Sequence, residues 1–130
     1  MASSHAITKG KELFTKVQAH LLAQNKKSTS CIDGEDVCCY RGADGLKCAI
    51  GAVIPDDRYA PELEGSLHAM KLRAMLLELF QIDPNNSEDS NYFLTLAAKL
   101  QGIHDFNSTT RWKALLTELG EKCGFINDIS

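Results

Sequence analysis

The chain has 130 residues, 44% of them hydrophobic and 24% charged, with a formal charge of −3, which is the length of one domain with apolar material enough for its own core. These values exclude a disordered, collagenous or fibrous chain. No apolar run approaches the ~18 residues that cross a bilayer, and residues 1–8 hold no basic stretch followed by an apolar one, so the expected protein is cytoplasmic, neither membrane-spanning nor carrying a secretion signal.

Residues 8–24 place Leu13, Phe14, Val17, Leu21 and Leu22 at helical spacing, with lysines and glutamine between them. The first 31 residues carry five lysines against one glutamate. A solvated helix face explains that excess better than nucleic-acid contact does. Residues 25–36, rich in Ser, Lys and Asp, read as a loop. In the segment 37–54, Val37-Cys-Cys-Tyr-Arg41 and Leu46-Lys-Cys48 flank Gly42-Ala-Asp-Gly45. Asp44-Gly45 is a turn signal, so a short β-hairpin is predicted. Residues 49–54 continue without a charge as far as Pro55, and periodicity leaves open whether they form strand or helix.

Residues 55–65 are acidic and turn-rich, with Pro55 and Pro61 opposing regular structure. A three-helix portion follows over 66–124. Ser66 is placed to cap a helix bearing Leu72, Met75, Leu76, Leu79 and Phe80, which Asp83-Pro84 ends. Asn86 or Ser87 caps the next, whose buried stripe is Phe93, Leu96, Ala97, Leu100 and Ile103, with Glu88 and Asp89 in its first turn. Asn107 or Ser108 opens the last, with Trp112, Leu115, Leu116, Leu119 and Cys123 on one face and Gly124 at its end. The expected fold is a single α+β domain over residues 1–130, mostly helical with four to five helices, one small β-hairpin packed against them.

Five cysteines, at 31, 38, 39, 48 and 123, form no C-x-x-C pair. An odd count without a secretion signal predicts reduced, mostly buried thiols. Cys31, Cys38, Cys39 and Cys48 with His68 or His104 could in principle surround zinc, but their spacings match no knuckle that sets two ligands on one tight turn, so neither metal nor cofactor is expected.

The run Cys39-Tyr-Arg-Gly-Ala-Asp-Gly-Leu-Lys-Cys-Ala-Ile-Gly-Ala-Val-Ile-Pro-Asp-Asp-Arg-Tyr-Ala-Pro-Glu-Leu-Glu-Gly65 resembles the hallmark stretch of a group of small, largely uncharacterised proteins of tailed phages and prophages. Leu100-Gln-Gly-Ile-His-Asp105, followed by Trp112, is similar to that group's second hallmark. Together they cover about a quarter of the chain. The resemblance implies a phage-type genomic setting, hence a host-cell cytoplasm, and a shared fold; it carries over no catalytic residue.

Packing accounts for most of the long motif: glycines for the turn, small apolar residues for a tight core, a proline to end the run. Tyr40, Arg41, Asp44, Lys47, Asp56, Asp57, Arg58 and Tyr59 remain as candidate binding residues, and the charged ones either pair locally or form a recognition face. Eight acidic residues against three basic ones over 32–64 steer toward a partner with a basic surface. The leading expectation is therefore a non-enzymatic protein that docks on a host protein or captures a small ligand, with no membrane partner. The alternative is a cysteine-dependent hydrolase in which Cys48 attacks, His104 is the base and Asp105 or Asp44 orients it. Asp56-Asp57 and Glu62 with Glu64 are weak candidates for acid–base work or a divalent cation. Binding of nucleic acid by the first helix stands third.

Overall fold

The computed structural model describes residues 2–32, 35–42, 45–59 and 70–125, with the main chain alone at 30–32 and 35–38. Ser3 is extended, and its hydroxyl accepts the N–H of Ala6 at 3.1 Å, so helix α1 (Ser4–Gln24) starts one turn before the apolar periodicity does. Asn25 ends it in the left-handed conformation, its N–H returning to the Leu21 carbonyl. α1 buries Leu13, Phe14, Val17 and Leu21 as expected and adds Ala6 and Gly10, whereas Leu22 points outward at 39% exposure.

Helix α2 (Met70–Leu79) is followed by α3 (Ser87–Phe106) and α4 (Thr109–Lys122). The expected Ser66 cap of α2 lies outside the described residues. Asn86 caps α3, its side chain accepting the Asp89 N–H at 3.1 Å. The α3 stripe of Phe93, Leu96, Ala97, Leu100 and Ile103 packs into the core against α1, Trp112 and Leu116 of α4, and Leu72, Leu76 and Leu77 of α2. Burying large apolar side chains such as these contributes about 1.5–3 kcal/mol each.

The α+β expectation is overturned, because among the described residues the fold is carried by four α-helices. Paired extended backbone among the described residues is confined to an antiparallel ribbon, β1 (Thr29–Ile32) with β2 (Glu35–Cys38), too short to form a layer of the core. It lies mostly within residues 25–36, where a loop was expected, and shares only 37–38 with the predicted hairpin. At the predicted site only an isolated bridge, Arg41 with Lys47, remains.

The pairing goes no further because residues 49–53 coil into a turn and a 3-10 helix, and α1 closes the outer edge of residue 47. Gln24 donates to the Lys47 carbonyl at 2.8 Å and accepts the Lys47 N–H at 3.0 Å, and His20 Nε2 meets the same carbonyl at 2.9 Å. The Arg41–Lys47 bridge itself is closed by the Gly42 N–H to the Leu46 carbonyl at 2.9 Å and the Cys48 N–H to the Tyr40 carbonyl at 3.2 Å, so the groups that α1 takes are those of the outer edge, where a further strand would pair. Residues 49–54, left open between strand and helix, form a turn and a short 3-10 helix, Gly51–Val53, with Ile50 and Ile54 buried. A side chain on Gly51 would overlap the Tyr40 carbonyl, so only glycine fits where these backbones meet.

Candidate functional site

The charged residues of the long motif converge on Arg41. Its guanidinium donates to the Ile54 carbonyl through Nη2 at 2.6 Å, pairs with Asp56 Oδ1 through Nη1 at 2.9 Å, and lies over the Tyr59 ring at 4.8 Å. Lys47 Nζ reaches the same Asp56 oxygen at 3.7 Å. Pro55 makes the turn that offers this constellation outward: its carbonyl accepts the N–H of Arg58 at 2.9 Å and of Tyr59 at 3.1 Å. Arg58 extends toward Glu78 of α2 at 3.4 Å.

The Asp56 side chain is 82% exposed, and an ion pair in that setting is worth only about 0–1 kcal/mol. Stacking on Tyr59 and the bond to a main-chain carbonyl do more to orient Arg41. Asp57 is exposed beside the cluster. Tyr40, expected among the binding residues, belongs to the core at 4% exposure, and Asp44 lies outside the described residues. The expected binding set thus divides: Arg41, Lys47, Asp56 and Tyr59 come together beside the 55–59 turn, while Arg58 of the same turn reaches Glu78.

A second cluster is buried. His104 is fully enclosed, stacked on Trp112 with ring centroids 5.4 Å apart. Its Nε2 accepts the Ser28 N–H at 2.9 Å, which leaves the ring proton on Nδ1, 2.7 Å from Asp105 Oδ1. Gln101 donates to that carboxylate oxygen at 2.8 Å and accepts the Ile50 N–H at 3.0 Å. Cys48 Sγ accepts the Gly51 N–H at 3.2 Å.

Gln101 thus links Cys48 to Asp105, and Asp105 meets His104, so the three belong to one packed network in which the imidazole bonds Ser28 and Asp105. Burial pushes the Cys48 thiol up to about 12, against the smaller opposing pull of the Gly51 amide and the Gln101 side chain. At neutral pH the sulfur is protonated, and the imidazole lone pair that would deprotonate it is engaged by a main-chain amide. Neither group reaches the surface. This geometry holds Cys48 and Ile50 to Gln101 of α3, with the sulfur enclosed.

Gln101 and Ser28 escaped the sequence reading, as did Gln24 and His20. Gln101 carried a signal, since it stands four residues before Asp105 on one helix and so faces it. The other three act through main-chain groups distant in sequence, for which spacing gives no sign.

Among the described residues no three His, Cys, Asp or Glu side chains are placed to hold a metal ion. Cys48 and Cys123 are free thiols and Cys39 is buried, while the Cys31 and Cys38 side chains, His68, Glu62 and Glu64 lie outside the described residues. The lysines of the first 31 residues do not form one open face. Lys9 pairs with Glu12 at 3.5 Å, Lys16 lies over the Phe80 ring, and Lys27 donates to the Asp105 carbonyl at 3.3 Å. No described helix is long and apolar enough to cross a membrane. Comparison with protein-family models, curated proteins and solved structures returned no match.

Proposed function

We propose that this chain is a small non-enzymatic interaction protein of phage or prophage type, which docks on a basic surface of a host protein through the Pro55–Tyr59 loop. The observation that carries this reading is the Arg41 arrangement. A guanidinium held by the Ile54 carbonyl, Asp56 and the Tyr59 ring gives the loop one shape before any partner arrives, and a preformed loop loses less entropy on binding. The acidic excess of residues 32–64 supplies long-range attraction toward a basic partner. The phage setting rests on the resemblance of the Cys39–Gly65 run. The enclosed Cys48 and the engaged His104 favour this reading over hydrolysis.

Affinity capture from a host lysate tests the proposal when wild type is compared with Asp57→Lys. Asp57 is exposed and has no part in holding the loop, so the variant is expected to keep its melting temperature and lose the captured protein. Raising salt should weaken capture of the wild type. Capture that ignores both the substitution and the salt would sink the proposal.

A further inference from the structure

Helices α3 and α4 leave between them a surface groove of about 350 Å³, with Gly102, Ile103, Leu115 and Leu119 among its lining residues. Lys99 stands on its α3 rim, and Glu118 and Lys122, paired with each other at 3.0 Å, on its α4 rim. Phe106, the last residue of α3, is 85% exposed. A methyl group on Gly102 would lie 3.7 Å from its Cδ2, so the ring borders the groove. An exposed aromatic knob and an apolar hole thus share one face of the molecule.

We infer that this face is a two-fold interface between two copies of the chain, each Phe106 seated against the apolar wall of the other copy's groove formed by Ile103, Leu115 and Leu119. A two-fold contact is self-complementary, so knob and hole on one surface meet their counterparts twice. The charges agree with a second copy as the occupant. The rim carries both signs, and in the inferred contact Glu118, held by Lys122 in its own copy, also meets Lys99 of the other, whereas a rim of one sign would repel its own duplicate. The interface is separate from the Pro55–Tyr59 loop and does not depend on the reading given to that loop.

Sedimentation velocity of the full chain from micromolar to millimolar concentration tests this. Wild type should pass from monomer to dimer, and Phe106→Ala should weaken the dimer at least tenfold while leaving the melting temperature unchanged, because the ring contributes little to its own core. Lys99→Glu and Glu118→Lys should each weaken association, and the double variant should restore it. A wild type that stays monomeric throughout would assign the groove to another partner and overturn the inference. A dimer indifferent to Phe106→Ala, or a double variant no better than the single ones, would overturn it equally.

Discussion

His104 Nε2 accepts the N–H of Ser28 across 76 positions of sequence, at 2.9 Å and with no exposure of the ring. Through this bond α3 holds the start of the segment leading into the ribbon, whose return is marked by the Cys39 N–H bonding to the Ser28 carbonyl at 2.9 Å. Ser28 is thereby fixed on both sides of its peptide chain, and its hydroxyl donates to the Leu46 carbonyl at 3.1 Å.

Replacing His104 with Ala should destabilise the protein by about 3 kcal/mol. The Ser28 N–H is left buried without an acceptor and a cavity opens against Trp112. Urea unfolding followed by the fluorescence of Trp112, the single tryptophan, reads the change. A loss below about 1 kcal/mol would mean that the amide finds water or another acceptor.

Gly51→Ala tests the contact between the 3-10 turn and Tyr40. The added methyl falls on a main-chain carbonyl, which cannot swing aside as a flexible side chain would. A cost of about 2–3 kcal/mol is expected from denaturant unfolding. An unchanged midpoint would refute the close approach of the two backbones.

Asp89 links acid stability to the N-terminus. Its carboxylate accepts the Ser3 hydroxyl at 2.6 Å and the Ser3 N–H at 2.8 Å, bonds that hold its titration below the ordinary carboxylate range. A depressed value in the folded state contributes stability above the unfolded value of about 4, and that stability is lost as the pH falls through the folded value. Melting temperature against pH should therefore show wild type above Asp89→Asn at neutral pH, with the two curves converging in acid. A constant offset would show that the charge is not responsible.

Cys48 should react slowly with iodoacetamide in the native protein, since its thiol is both enclosed and protonated. Cys48→Ala should cost roughly 1 kcal/mol or more, because it removes a buried sulfur together with the acceptor of the Gly51 N–H. Fast alkylation of native protein that disappears in His104→Ala would revive the hydrolase.

What could be read without coordinates follows the range of the interactions. The α3 stripe and the Asn86 cap were legible because helical periodicity and capping act within a few residues. Gly45 does take the positive φ of 74° that its turn signal required. The hairpin around it shrinks to the one bridged pair Arg41 with Lys47 because the apolar run that follows coils into a 3-10 turn, a choice between strand and helix that periodicity left open. The start of α1 escaped because the capping Ser3 is itself held by Asp89 from α3. At the loop, composition allowed either local pairing or a recognition face for Arg41 and Asp56, and only their 2.9 Å separation distinguishes the two.

Gln24 and His20 grip residue 47 by its peptide groups, so the anchor is indifferent to which side chain the position displays. A chain fastened in this manner can diversify its outward residue while keeping its frame, with one exclusion. Proline at 47 lacks the N–H that Gln24 receives. Randomising that codon and selecting for folded protein should therefore return a broad alphabet from which proline is missing.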